Sequence, residues 1–370
     1  MTKRLIVFAA AAVATFLTGA VAGAIGNSER SVPTKRTAHP LLTYLAAAGR
    51  LCATRADGSH PLRLTPRWRI SSPTWSPRGR YVAFERWRSG SLVKATTPAI
   101  RISVADVQGR GHIRSTFGAA RTNVAPIWSP DGRHIAYLAT EANIITLHVA
   151  RPDGSEDREL AAGPPWSGYG PWNPAWTPDG QTLAFDDGNG RDAPQGIFTV
   201  GVDGSKRRML VANAREPAYS PDGSKLAYVA VSGSQRVGLF VADADGSHSR
   251  RLTSSADAAA PTWSPRGTLI AFKRADSLRV VRADGSGERA IASHVPSAPL
   301  WSPRGQLIAF VRGITVGPDR PFESSIVVAR ADGGHQRVVV RRFSKSFVEQ
   351  PAWRAAVPLP AARRLPCSLR

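Results

Sequence analysis

The sequence predicts an all-β protein, a seven-bladed β-propeller in which strands from the two chain ends share one blade. Three observations carry that expectation. A Pro-x-aromatic-Ser/Thr-Pro-Asp/Arg-Gly motif occurs six times, an Asp-Gly turn recurs in step with it, and each end of the chain holds a partial unit that the other completes.

The six motifs begin at Pro73, Pro126, Pro174, Pro217, Pro261 and Pro299, and their aromatic residues are Trp75, Trp128, Trp176, Tyr219, Trp263 and Trp301. Each motif is followed by a branched apolar residue, an alanine and an aromatic: Val82-Ala83-Phe84, Ile135-Ala136-Tyr137, Leu183-Ala184-Phe185, Leu226-Ala227-Tyr228, Ile270-Ala271-Phe272 and Ile308-Ala309-Phe310. Ser-Pro-Asp-Gly between two apolar runs is a tight turn, because proline presets φ and glycine accepts the positive φ that other residues resist. A second hairpin follows at Asp153-Gly154, Asp203-Gly204, Asp245-Gly246, Asp284-Gly285 and Asp332-Gly333. Gln108-Gly109 takes this place in the first full unit. Each unit is therefore four short antiparallel strands. So small a sheet cannot bury both faces alone, and radial stacking of the units buries them against one another. From Trp75 to Trp353 is 278 residues in six steps, about 46 per step, a propeller spacing.

A seventh Pro351-Ala-Trp353 lacks the turn and the strand that follow elsewhere. Those parts stand at the other end of the chain: Leu42-Thr43-Tyr44 matches the triplet, Leu51 precedes Asp57-Gly58, and Leu62 to Thr65 matches the outer strand. Joining them leaves no open sheet edge. If they do not join, the count is six blades. The propeller is placed at 41–356, after a short linker at 30–40, and a Pro/Arg-rich tail follows at 357–370.

Residues 1–29 read as an export signal. Lys3 and Arg4 precede an uncharged run from Leu5 to Ile25, and Ala20, Ala22 and Ala24 offer A-x-A cleavage sites. The other reading is an uncleaved membrane anchor, since about 21 apolar residues suffice to span. Either way the expected location is periplasmic, extracellular or anchored at the outer face. In an exported chain Cys52 and Cys367 are a disulfide candidate, with two unpaired thiols as the alternative. Two cysteines exclude both a disulfide-dense scaffold and a multi-cysteine zinc site.

The net charge is +22, and arginine supplies 42 of the 49 basic residues. In isolation that is a nucleic-acid footprint. The export signal, the spread of arginine over repeat and turn positions and the lack of a basic helix argue for no nucleic-acid partner. They point instead to anionic envelope polymers or lipid head groups.

The unit resembles the TolB-like, WD40-like propeller repeat, P-x-W-S-P-D-G-x-x-I-A-F followed by a strand and D-G-S. The resemblance covers about residues 41–354 and is to the propeller alone. It implies a chain without the α/β domain that precedes the propeller in TolB. It also implies none of the hydrolase domain of prolyl-oligopeptidase-type peptidases, and no G-x-S-x-G nucleophile elbow occurs.

Chemistry-bearing residues are sparse. The eight histidines form no pair at helical ligand spacing, and His60, His248 and His335 each follow an Asp-Gly turn. Oligogalacturonate lyases, a related propeller class, hold a metal with several convergent histidines, which a sequence does not display. The motif carboxylates Asp131, Asp179 and Asp222 are replaced by Arg78, Arg266 and Arg304 elsewhere, so the turn is what the position requires. The segment Asp186 to Asp192 reads as an acidic loop with oxygen ligands for a cation. No cofactor is expected. Binding is expected on variable loops over the rigid scaffold. The candidates are Arg86, Trp87 and Arg88 after the second strand of the first unit, and Trp166, Tyr169 and Trp172 leading into an innermost strand. The expected function is a non-enzymatic, monomeric exported scaffold for a protein, a peptide or an envelope polymer. The alternatives are a propeller-type lyase or hydrolase with a site at the channel, and a membrane-anchored sensor.

Overall fold

The computed structural model describes residues 41–46, 50–65, 70–87, 99–107, 112–120, 122–163, 170–187, 195–314, 323–343, 351–354 and 367. The signal or anchor segment, the linker and all of the tail except Cys367 lie outside the described residues.

All regular structure among these residues is β. The chain opens with β1 (Leu41–Ala46), β2 (Arg50–Arg55) and β3 (Leu62–Arg63). The first full unit is β4 (Ile70–Trp75), β5 (Tyr81–Trp87), β6 (Ile100–Asp106) and β7 (His112–Phe117), and the next is β8 (Thr122–Trp128), β9 (Ile135–Glu141), β10 (Ile144–Ala150) and β11 (Arg158–Ala162). Then come β12 (Pro171–Trp176), β13 (Thr182–Asp187), β14 (Gly196–Gly201) and β15 (Arg208–Ala212), followed by β16 (Ala214–Tyr219), β17 (Lys225–Ser232), β18 (Gln235–Asp243) and β19 (Arg250–Arg251). The last units are β20 (Ala258–Trp263), β21 (Leu269–Arg274), β22 (Ser277–Arg282) and β23 (Arg289–Ala292), then β24 (Leu300–Trp301), β25 (Leu307–Ile314), β26 (Glu323–Arg330) and β27 (Arg337–Phe343), with β28 (Ala352–Arg354) at the end.

Strands β12 to β27 form four-stranded antiparallel sheets in chain order. Strands β4 to β11 form one eight-stranded sheet, its two halves joined by a single parallel pairing of Ile100 with Thr122. The remaining sheet has the order β28-β1-β2-β3, so the C-terminal strand pairs with the N-terminal one, Trp353 opposite Leu42. First strands pack on first strands of neighbouring units, β4 on β8, β12 on β16, β16 on β20, β24 on β28 and β28 on β4. This places first strands nearest the axis. Cys52 on β2 is disulfide-bonded to Cys367, with the Cα atoms 6.2 Å apart.

The motif residues explain the stacking. In all six motifs the Ser or Thr hydroxyl accepts the N–H five residues on, closing the turn; Ser129 from His134 at 2.9 Å and Thr177 from Thr182 at 3.1 Å are examples. The turn glycine lies at positive φ and fits against the preceding unit's motif proline: a Cβ on Gly305 would come within 3.2 Å of Pro265. The tryptophans fill the space between sheets and donate their indole N–H across it. Trp128 donates to Thr74 O at 3.2 Å, Trp176 to Ile127 O at 3.4 Å and Trp263 to Ala218 O at 2.9 Å. Trp301 donates to Thr262 O at 3.1 Å and Trp353 to Leu300 O at 3.1 Å. In each case the acceptor is the residue just before the preceding unit's motif aromatic.

Where β28 meets β1 the contact is relayed. Trp75 donates to Thr43 Oγ1 at 3.1 Å, and that hydroxyl donates to Ala352 O at 2.8 Å, the residue before Trp353. Arg354 stands where the other motifs have Ser or Thr. Its Nε donates to Gly79 O at 2.7 Å and its guanidinium lies 5.2 Å from the Trp75 ring. The side chain is fully buried, and burial pulls its pKa down to about 10. Tyr219 departs from the pattern: a phenol has no indole N–H, and among the described residues its hydroxyl has no partner.

A buried donor removed from a satisfied carbonyl costs about 1–3 kcal/mol. Trp301→Phe is therefore expected to lower the unfolding free energy by about 1–3 kcal/mol in denaturant titration, while Tyr219→Phe changes it by less than about 0.5 kcal/mol. Equal losses at the two positions would contradict the indole bridge.

Candidate functional site

One end of the propeller carries the polar groups that the repeat does not require. Second strands end there and first strands begin there. The residue before five of the six motif prolines breaks the first strand, because the proline that follows has no N–H for the ladder. The register shifts at each of these places, between Ser71 and Thr74, Val124 and Ile127, Trp172 and Ala175, Arg215 and Ala218, and Ala259 and Thr262. The residues at the break take positive φ: Ser72 47°, Ala125 54°, Asn173 48°, Glu216 57° and Ala260 52°. Non-glycine residues adopt that conformation at a cost, repaid here by neighbours.

Three carboxylates on preceding units accept the turned-out N–H groups. Glu85 Oε1 accepts from Ala125 at 2.9 Å, Asp186 Oδ1 from Glu216 at 3.2 Å, and Glu216 Oε2 from Ala260 at 2.6 Å. Their second oxygens are also engaged. Ser71 Oγ donates to Glu85 at 2.6 Å, Asn173 Nδ2 to Asp186 at 3.2 Å, and Arg236 pairs with Glu216 at 2.7 Å. Lys273, directly after Phe272, donates Nζ to Pro296 O at 2.8 Å, and burial holds its pKa below the usual lysine range despite the Glu216 carboxylate. Burial, helped by the Glu216 charge, pushes the Asp186 carboxyl up to about 7. Burial also raises Asp187, against the Arg207 guanidinium 3.0 Å away. Arg207 in turn lies over the Phe185 and Phe198 rings.

The sequence candidates fall as follows. Arg86 and Trp87 are half-buried at the end of β5, opposite Ile70 and Ile100 respectively. Trp172 is half-buried on β12, opposite Asp186, and packs on the core between the β8–β11 and β12–β15 units. These three share the end that bears the carboxylates, with Trp172 beside Asp186 and the other two on a non-adjacent unit. Arg88, Trp166 and Tyr169 lie outside the described residues. The expected acidic loop is corrected in its first two residues: Asp186 and Asp187 close strand β13, Asp186 turning its carboxylate to Glu216 of the next unit and Asp187 to Arg207 of its own unit, while 188–194 lie outside the described residues.

His60, His248 and His335 are exposed at φ 55°, 48° and 51°, the left-handed position that ends each Asp-Gly-Ser or Asp-Gly-Gly turn. His148 is held by Asp157 and Thr146, each at 3.1 Å. Among the described residues no three His, Cys, Asp or Glu side chains gather as a metal site requires. Glu85, Glu216, Arg236 and Lys273 are not among the sequence candidates. The available signal was positional: a charged residue directly after the triplet aromatic, or directly before the motif proline.

This is a β-propeller of repeated four-stranded units with a charged cluster at one end. The family described as TolB beta propeller domain matches residues 43–305, and the chain belongs to that family. The chain is 33% identical over 107 residues to the Tol-Pal system protein TolB of Anaeromyxobacter dehalogenans, a stretch that is 29% of this chain and 22% of that relative. It thus matches only about a fifth of the relative's length. TolB from Acinetobacter baumannii is similar in structure, with a TM-score of 0.52 at 16% identity, covering 85% of this chain and 66% of the other. An oligogalacturonate lyase in complex with manganese reaches 0.57 at 14% identity, covering 82% and 85%. At such identities the structural likeness concerns the fold alone.

A carboxyl raised above its unfolded value adds most stability when protonated. The Asp186 contribution is therefore full below about pH 4, falls as pH rises towards 7, and is flat above. Asp186→Asn is expected to remove a pH-dependent loss on the order of 3 kcal/mol over that window, read from denaturation midpoints. An unchanged pH profile in the variant would overturn the assignment.

Proposed function

We propose that this chain is an exported seven-bladed propeller, closed by β28 on β1 and by the Cys52–Cys367 disulfide. Its carboxylate-bearing end binds a protein, a peptide or an anionic envelope polymer. The observation that carries the binding reading is the state of the charged groups. Both oxygens of Glu85, Asp186 and Glu216 are engaged by backbone N–H groups or by side chains. They brace the mouth of the propeller and leave contact to Arg86, Trp87, Trp172 and the loops around them. Tryptophan and arginine are favoured where partners dock. The net charge of +22 favours an anionic partner. The naming of a relative as a Tol-Pal system protein agrees with a role in a protein assembly. The segment at 1–29 supports export, whether it is cleaved or retained as an anchor.

A second reading is a lyase or hydrolase with its site at the same mouth. Asp186, its carboxyl pushed up to about 7 by burial and by the Glu216 charge, has the perturbed titration of a general acid or base. Asp186→Asn would then abolish turnover of an acidic oligosaccharide, and retained turnover would exclude this reading.

Closure predicts that the purified, unreduced protein has no thiol open to alkylation. Cys52→Ser is expected to destabilise by several kcal/mol, below the roughly 5–6 kcal/mol chain-entropy ceiling for a separation of 315 residues. Labelling of both cysteines without reductant would exclude the closure. For binding, the full chain is used to capture partners from envelope extract. Trp87→Ala combined with Trp172→Ala is expected to cut recovery about tenfold. Arg133→Ala, exposed at the opposite end, is expected to leave recovery intact. Equal recovery with all three proteins would exclude the assigned face.

A further inference from the structure

The interface between the β12–β15 and β16–β19 units differs from its neighbours. It is where Tyr219 stands in place of a tryptophan, so no indole crosses it. A cleft of about 470 Å³ opens there, at the turn end of the propeller, opposite the end discussed above. That volume lies within the roughly 300–1,000 Å³ of small-molecule sites.

The charges lining the cleft are unequal in availability. Asp179 and Asp222 both border it, and each binds its own turn, Asp222 through both oxygens and Asp179 through Oδ1. Asp179 Oδ1 takes the Thr177 hydroxyl at 2.6 Å and the Gln181 N–H at 2.9 Å. Asp222 takes the Ser220 hydroxyl at 2.5 Å and both the N–H and the hydroxyl of Ser224, at 3.1 and 2.9 Å. Lys206 and Arg208 also border the cleft, are exposed, and have no ion-pair partner among the described residues. The Tyr219 hydroxyl borders the same cleft, within reach of the Arg208 and Asp179 charges, with no hydrogen-bond partner among the described residues. The lining charges balance, but the two carboxylates are drawn to their own turns, so the donors that face a ligand are the two cations and the Tyr219 hydroxyl, which favours an anionic oxygen group.

We propose that this cleft is a second binding site, which takes a small ligand through an anionic oxygen group held by Lys206, Arg208 and the Tyr219 hydroxyl. A carboxylate and a phosphate both supply that chemistry. The Trp-to-Tyr exchange opens the site: an indole here would fill part of the recess and bridge to Ala175 O, as Trp263 bridges to Ala218 O. The site is independent of the binding face proposed above, because it sits at the other end of the units and uses none of the same residues.

Calorimetric titration of the full chain at constant ionic strength tests it, with citrate in one arm and inorganic phosphate in the other. Saturable binding of at least one probe is expected, weakened about tenfold or more in Lys206→Ala/Arg208→Ala. Tyr219→Phe, which keeps the ring, is expected to weaken it less. Tyr219→Trp is expected to abolish it. Citrate binding without phosphate binding assigns a carboxylate ligand, and the reverse assigns a phosphate. If neither probe binds the wild type below about 10 mM, or if the double variant binds as the wild type does, the proposal is wrong.

Discussion

The structure rests on a hydrogen bond that crosses from one sheet to the next. Each four-stranded unit is too small to be stable alone, and most of its apolar area is buried only against its neighbours. The motif tryptophan does two jobs at that interface. Its ring contributes on the order of 4–6 kcal/mol of apolar burial, and its N–H fixes the register of the units by selecting one carbonyl on the neighbour. Apolar packing alone does not select a register, because sheets slide against each other with little loss of area. The glycine that fits against the preceding unit's proline adds a steric check on the same register.

The same proline that makes the motif also breaks the first strand. It turns an N–H towards the neighbouring unit at a strained φ, and that group must find an acceptor. On the units that carry Glu85, Asp186 and Glu216 the acceptor is a carboxylate. Charge at this end is thus a consequence of backbone geometry before it is a property of function. Where two such units follow one another, those of Asp186 and Glu216, the carboxylates couple, and the buried Asp186 is pushed towards neutral pH. At the other end the turns use their own carboxylates internally. Lys206 and Arg208 there have no ion-pair partner among the described residues, while Arg80, Arg133 and Lys225 do.

The meeting of the chain ends uses substitutes for the repeat's own parts. Thr43 relays the Trp75 bond to Ala352, and the buried Arg354 takes the place of the motif serine. Thr43 fills the triplet's alanine position and Arg354 the motif's serine position, and neither is legible as a joining element without its partner some 275 or more residues away.

Much of the fold was legible in the sequence because its signals are local. Pro, Gly and Asp set turns through φ and through short side-chain bonds, and alternating apolar residues set strands. Those rules act over fewer than ten residues, so the strands, the turns and the repeated unit follow from sequence alone. The polar end was not legible in the same way. Asp186 and Asp187 look like loop ligands in a linear reading, yet one closes an interface with Glu216 of the next unit and the other is held by Arg207 of its own unit. Tyr219 reads as a conservative change, and only the neighbouring unit reveals the bridge it lacks. By itself the sequence determined which segments become strands and that they must stack. Tertiary structure decided which charges meet and which are left open, because those outcomes depend on residues of separate units brought within about 3 Å.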